Sequence, residues 1–190
     1  MDELTRLAIA ARHGDTETLR EFVAAASPEV WRLCAALADV DSADDLTQET
    51  FARVCVALKR YRGEASARTW LLSIARRVVA DAIRKRVRVR RMEEAVLAQP
   101  AGAETAPDMA GEIELRLLIA ALPVARREAF VLTQVLGLSY EEAGRVCGCP
   151  VGTIRSRVAR ARESLLEQLS DDGGWRTAWN STRVGDDHLG

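Results

Sequence analysis

Apolar residues recur along this 190-residue chain at steps of three and four, and strict alternation of apolar with polar positions is rare. That spacing predicts amphipathic helices, whose buried face returns about every 3.6 residues. The first stripe, Leu4, Leu7, Ala8 and Ala11, breaks at Gly14-Asp15 and resumes at Leu19, Phe22 and Val23. A second helix is expected over residues 28–37, where Val30, Leu33, Cys34 and Leu37 share a face. Residues 41–45 read as an acidic turn. A third helix follows over 46–59, striped by Leu46, Thr50, Val54 and Leu58 with Phe51 alongside. Beyond a loop at 61–67, a fourth helix over 68–89 should bury Leu71, Ile74, Ala75, Val78 and Ala82.

The pattern then lapses. Residues 99–107 carry two prolines, a glycine and no apolar period, as a flexible linker does. A second compact unit begins near Glu112. Leu122-Pro123 starts a helix carrying Ala129, Phe130, Leu132, Thr133 and Leu136, and Gly137 ends it. Ser139 with Glu142 three residues later predicts a capping box, Gly148 and Pro150 an interruption, and Val151 the start of a further helix striped by Ile154, Val158, Ala161 and Leu165. The fold class expected is therefore all-α: two small helical domains, 1–92 and 113–170, joined by a flexible acidic linker at 93–112 and followed by a frayed tail at 171–190. A helix-turn-helix occupies about 139–162.

Charge changes the picture more through its distribution than its sum. The net charge is −1, from 27 basic and 28 acidic residues, which alone would argue against a nucleic-acid partner. Yet no basic residue lies between Arg32 and Arg53, where Asp39, Asp41, Asp44, Asp45 and Glu49 cluster. From Arg76 to Arg91 eight cations face Asp81 alone, and from Arg91 to Arg116 every charge is negative. No secretory signal and no apolar run of membrane-spanning length is evident, so a cytoplasmic location is expected. Cys34, Cys55, Cys147 and Cys149 form no CxxC and have no histidine nearby; they read as buried or half-buried thiols, with a redox role as the alternative. The chain holds two histidines, His13 and His188, and no GxGxxG, phosphate-binding loop or nucleophile elbow. No catalytic residue, metal site or cofactor is expected.

Binding chemistry concentrates in three places. On the helix from Val151, Gly152, Ser156 and Ala159 point away from the apolar stripe, flanked by Thr153, Arg155 and Arg160. Small residues allow close approach, while arginine and hydroxyl groups reach phosphates and base edges. Arg155, Ser156 and Arg160 are candidates for base edges, and Arg157 and Arg162 for phosphates. The plainer reading, a solvated helix held by i,i+4 charge pairs, is weakened because these arginines meet no acid before Glu163. The second place is the basic helix of residues 76–91, preceded by Tyr61 and Trp70, an arrangement suited to unpaired bases; ordinary core packing of Trp70 stands beside that reading. The third is the acidic run from Asp44 to Glu49. Asp44 and Asp45 suit a helix N-terminus, and Gln48 and Glu49 add exposed polar groups fit to dock a basic protein partner.

Three blocks of sequence, taken in order, resemble the extracytoplasmic-function (ECF) subfamily of the sigma-70 family of RNA polymerase sigma factors. They are Asp-Asp-Leu-Thr-Gln-Glu-Thr-Phe at 44–51, Arg-Thr-Trp-Leu at 68–71 with Ile74-Ala75-Arg76, and Gly-Cys-Pro-Val-Gly-Thr-Ile-Arg-Ser-Arg at 148–157. They are closest to the actinobacterial sigma-C type. The resemblance implies a promoter-specificity subunit, with region 2 at 1–92 and region 4 at 113–170. It places Asp44, Asp45, Gln48 and Glu49 against the β′ clamp helices of core polymerase, and region 4 against the β flap. It places Tyr61, Arg62, Glu64, Ser66, Arg68 and Trp70 around a flipped base of the −10 element, with Arg76, Arg77, Arg84 and Arg86 holding the DNA nearby. It assigns the −35 element to Gly152, Thr153, Arg155, Ser156, Arg157 and Arg160, and it makes an anti-sigma factor a further partner. The Glu64-Ala65-Ser66-Ala67 segment departs from the family, where an aromatic often precedes the Arg-Thr-Trp, and that leaves the flipped base unidentified. A stand-alone helix-turn-helix regulator and a helical adaptor without DNA readout are the competing classes.

Overall fold

Asp2 and Asp15 open the first two helices by the same device: each carboxylate accepts backbone N–H groups from the first turn that the helix itself cannot satisfy. The computed structural model describes residues 1–94 and 110–171, all of whose regular elements are helical. The elements are α1 (Glu3–Ala11), α2 (Thr16–Leu37), α3 (Ala43–Leu58), α4 (Ala67–Glu94), α5 (Ala110–Ala121), α6 (Val124–Phe130), a π turn (Val131–Val135), α7 (Tyr140–Cys147) and α8 (Val151–Asp171). The predicted flexible linker lies mostly, and the predicted tail almost wholly, outside the described residues. α4 and α5 reach two or three residues into the expected linker from its two ends.

In the first unit α2, α3 and α4 pack together, with α1 laid across α2 and α4. Phe22, Val30, Leu33, Val54, Leu71, Leu72, Val78 and Val79 form its interior, each almost fully withdrawn from solvent. The two helices expected on either side of residue 28 are in fact one, because Phe22, Ala26, Val30 and Leu33 continue a single buried stripe through Pro28. A proline inside a helix costs about 3 kcal/mol, and burying a few large side chains at about 1.5–3 kcal/mol each outweighs it. Pro28 itself is exposed.

In the second unit α8 crosses α6 and α7, and Ile154, Val158, Ala161 and Leu165 are buried as their period predicts. The capping box forms: Ser139 Oγ accepts from Glu142 N at 3.2 Å while the Glu142 carboxylate accepts from Ser139 N at 2.9 Å. Gly148 ends α7 in the left-handed region, at φ 66°. The expected helix over α6 changes its period before Gly137, where Leu136 N–H donates to the Val131 carbonyl five residues back. The Thr133 hydroxyl donates to the Ala129 carbonyl at 2.8 Å, supplying a polar group that the widened turn accommodates. The buried residues of the two units join in one cluster.

Candidate polymerase and nucleic-acid interfaces

The acidic run lies on the opening turns of α3. Leu46 and Thr50 turn into the core, which leaves Asp44, Asp45, Gln48 and Glu49 exposed on the opposite side. Asp44 and Asp45 also complement the positive end of the helix dipole. Asp44 accepts from the Trp31 indole at 2.8 Å, and Glu49 pairs with Arg53 at 2.8 Å. Asp45 and Gln48 have no hydrogen-bond or ion-pair partner among the described residues.

Between α3 and α4 the chain folds around two aromatics. The rings of Tyr61 and Trp70 stand 4.7 Å apart and tilted by 37°. Tyr61 is buried, its hydroxyl donates to the Ala65 carbonyl at 2.6 Å, and burial pushes its phenol pKa up. Tyr61 is thus a wall rather than an exposed stacking face, whereas Trp70 is half-buried and lines two open cavities. One, of about 500 Å³, is lined by Arg60, Tyr61, Arg62, Glu64, Ala65 and Trp70. The other, of about 540 Å³, is lined by Arg53, Val56, Ala57, Lys59, Arg60 and Trp70. Both combine an indole with guanidinium groups, which suits a nucleobase and its phosphate. Arg60, Lys59 and Val56 escape the periodicity argument; the available signal was Val56, an apolar residue off the α3 stripe that proves 76% exposed. Ser66 caps α4 by accepting from Thr69 N at 3.2 Å, while Arg62 and Glu64 are exposed and unpartnered among the described residues.

The arginines of α4 divide into two sets. Arg84 pairs with Asp81, and Arg86 pairs with Asp39 at 2.6 Å; Arg77 is exposed without a partner among the described residues. The Arg53 and Arg84 guanidinium groups hold the Asp81 carboxyl below its usual range. Asp81 is the one acid within the run, and Asp39 meets Arg86 from outside it. Arg76 instead reaches the second unit. Arg76 donates to the Val146 carbonyl at 3.3 Å, to the Cys147 carbonyl at 3.1 Å and to Glu128 at 3.3 Å. Arg68 forks onto Glu29 and also donates to the Leu136 carbonyl. Arg127 answers from the other side, donating to Leu37 O at 3.1 Å. Main-chain carbonyls at helix ends carry a partial negative charge that no side-chain pattern reveals, which is why the sequence did not announce these partners.

On α8 the outward face is open. Gly152, Arg155, Ser156 and Arg160 are exposed, and a Cβ added at Gly152 would meet nothing within 4 Å. Ser156 donates to the Thr153 carbonyl at 3.0 Å, and Thr153 is half-buried. Arg155 and Arg160 have no partner among the described residues. Arg157 is half-buried, its guanidinium 3.7 Å from Cys149 Sγ, and Arg162 donates to Gln134. The thiols follow expectation except Cys55, which is exposed because it falls beside the α3 stripe. Among the described residues no cluster of histidine, cysteine or carboxylate side chains could hold a metal, and no helix is long and apolar enough to cross a membrane.

Comparison with known proteins places the whole chain in a family. Residues 22–89 match the family model for Sigma-70 region 2, and residues 112–165 match that for Sigma-70, region 4. The chain is 48% identical over 177 residues to the ECF RNA polymerase sigma factor SigC of Mycobacterium tuberculosis, covering 90% of this chain and 94% of that one. Its fold is similar to CnrH in complex with the cytosolic domain of CnrY, with a TM-score of 0.71 and 26% identity over 90% of this chain and 100% of the other. It is also similar to the sigma factor RpoE in complex with the anti-sigma factor NepR from Bartonella quintana, with a TM-score of 0.68 and 29% identity over 80% and 96% of the two chains. The chain belongs to the ECF sigma factors of the sigma-70 family, the subunits that bind core RNA polymerase and direct promoter-specific initiation of transcription.

Proposed function

We propose that this sigma factor divides promoter recognition between the indole-lined cavities of region 2 and the open face of α8. Asp45 and Gln48, with Asp44 and Glu49 beside them, dock the β′ clamp helices of core polymerase. The loop at 61–67 takes a base flipped from the −10 element into the cavity beside Trp70, with Arg62 and Glu64 at its rim, Ser66 and Arg68 at its base and Arg77, Arg84 and Arg86 along the DNA. Arg155, Ser156 and Arg160 read the −35 element while Arg157 grips phosphate, and Gly152 with Thr153 lets the helix seat closely. The observation that carries this reading is the state of α8, where Arg155 and Arg160 are exposed and unpaired among the described residues while Ile154, Val158, Ala161 and Leu165 on the other face are buried.

Arg68 and Arg76 face both ways in this scheme. In the described structure they hold region 4, so contact with the −10 element requires the two regions to part. Core polymerase, by fixing the regions at promoter spacing, supplies that separation and joins two weak DNA contacts into one strong one. The similar sigma factor RpoE bound to the anti-sigma factor NepR supports a protein of that class as the antagonist.

The test is reconstitution with core polymerase and selection of promoters from a random pool. A defined pair of elements at fixed spacing is expected, and it should be lost on substitution of Arg155 or Trp70. Binding of a symmetric duplex site by the free chain would instead indicate a stand-alone regulator.

A further inference from the structure

Helix α1 lies outside the residues matched by region 2, which begin at 22, yet it touches the loop at 61–67 at its start, middle and end. At the start, Arg12, the residue that caps the C-terminal end of α1, donates to the Tyr61 carbonyl at 3.4 Å. In the middle, Gly63 adopts φ +76°, and a Cβ built there would come within 3.4 Å of Ile9 Cδ1. At the end, Thr5 Oγ1 accepts the Ala67 N–H at 2.9 Å in a fully buried bond between residues 62 positions apart.

The contact at Thr5 has consequences beyond packing. Ala67 is the first residue of α4, and its N–H is one of the four donors that a helix leaves unsatisfied at its N-terminus. Thr5 satisfies it, and in turn donates its own proton to the Asp2 carboxylate at 2.7 Å. Asp2 is itself fixed as the cap of α1 by Thr5 N at 2.9 Å. The result is a directional chain, from Ala67 N–H through the Thr5 hydroxyl to a carboxylate, anchoring the turn from which Trp70 projects. Tyr61 closes the loop from within through Ala65 O and the ring of Trp70. Arg62 and Glu64, by contrast, remain exposed at the cavity rim.

We infer that α1 is the brace of the base-capturing loop, with Thr5 and Arg12 as positioning residues that hold Trp70 and the cavity in the shape that accepts an unpaired base. The inference rests on the reading that this loop captures a −10 base. A rigid, preformed cavity pays the ordering cost before DNA arrives, so loss of the brace should weaken capture rather than docking to polymerase.

The experiment is a cycle between protein and DNA. Holoenzyme carrying wild type, Thr5→Val, Thr5→Ser or Arg12→Ala is titrated against fork-junction promoters whose unpaired −10 strand bears either the natural base or an abasic site at each position. Wild type should lose affinity when the captured base is removed. Thr5→Val should lose about fivefold on the natural fork, the order of one buried hydrogen bond, and less than twofold on the abasic one. Thr5→Ser, which keeps the hydroxyl, should restore binding, and core affinity should be unchanged throughout. Arg12→Ala should behave as Thr5→Val does, and it carries the test alone if the valine variant does not fold. Equal losses on natural and abasic forks would overturn the brace. If wild type itself is indifferent to every abasic site, it is the capture reading that fails.

Discussion

The guanidinium of Arg76 lies 3.3 Å from the carboxylate of Glu128, one supplied by region 2 and the other by region 4. Only 11% of the Glu128 side chain is exposed, and burial raises its pKa against the opposing pull of Arg76 and Arg157. A carboxyl whose pKa is raised on folding contributes its stability below the unfolded carboxylate range, and the contribution is lost as pH rises through the folded value. At neutral pH the ionised group therefore costs stability, even though it is paired. Glu128→Gln keeps the shape and leaves Arg76 its two carbonyl acceptors. It should raise Tm at pH 7 by about 2–4 °C, the shift expected from 1 kcal/mol in a chain of this size. The gain should shrink as pH falls and vanish near pH 4. Thermal unfolding between pH 4 and 8 checks this; a lower Tm for the glutamine variant at every pH would mean that the ion pair outweighs burial.

The same boundary lies beside one of the thiols, Cys147. Burial raises the pKa of Cys34 to about 11 and that of Cys147 to about 12, whereas Cys55 is exposed. Since the thiolate is the reactive form, iodoacetamide at pH 8 should modify Cys55 first and leave Cys34 and Cys147 protected. The carbonyl of Cys147 accepts from Arg76, so Arg76→Ala should speed modification of Cys147 while Cys34 stays protected. Peptide mapping by mass spectrometry distinguishes the sites. Equal protection of Cys147 with and without Arg76 would show that its burial is internal to region 4.

How far the sequence carried the reading depended on what each feature is made of. Stripes such as Ile154, Val158, Ala161 and Leu165, and the cap formed by Ser139 and Glu142, were legible because the side chains themselves carry the signal. The boundary expected at Pro28 is absent because the buried stripe that continues through it outweighs the local penalty of the proline. The π turn before Gly137 and the carbonyl partners of Arg68 and Arg76 were invisible, since both are main-chain features. The cavities beside Trp70 needed Arg60 and Lys59 brought against the indole by the α3–α4 turn, a juxtaposition no spacing encodes.

On α8 the arginines should separate by experiment as they do by environment. Arg155 and Arg160 are exposed and unpaired among the described residues, free to fork onto a guanine edge. A bidentate contact of that kind discriminates by about 1–3 kcal/mol. Arg155→Ala and Arg160→Ala should therefore each relax preference at one −35 base pair, by roughly tenfold or more. Arg157→Ala should weaken all sequences alike and reduce the salt dependence of binding by about one unit of slope. Competition binding of holoenzyme across single-base variants reads both effects. A uniform loss for Arg155→Ala would make it a phosphate clamp.

Two glycines of the helix-turn-helix make opposite predictions from the same substitution. A Cβ at Gly144 would stand 2.9 Å from the carbonyl oxygen of Cys149, a main-chain atom that cannot swing aside. Gly144→Ala must push the turn away from α7, and overpacking of this kind costs about 1–3 kcal/mol. At Gly152 the same methyl group meets open space and sits within a helix, where alanine is favoured over glycine by about 0.5–1 kcal/mol. Gly144→Ala should thus lower Tm and, by displacing the start of α8, weaken −35 binding with it. Gly152→Ala should raise Tm by a few degrees and still weaken −35 binding, because the space it fills is the space the DNA backbone would occupy. Stability and affinity moving in opposite directions is a result that folding alone cannot produce. If Gly152→Ala raises Tm and leaves −35 affinity intact, Gly152 does not face the DNA, and the seating of α8 must be turned toward Ser156 and Arg160.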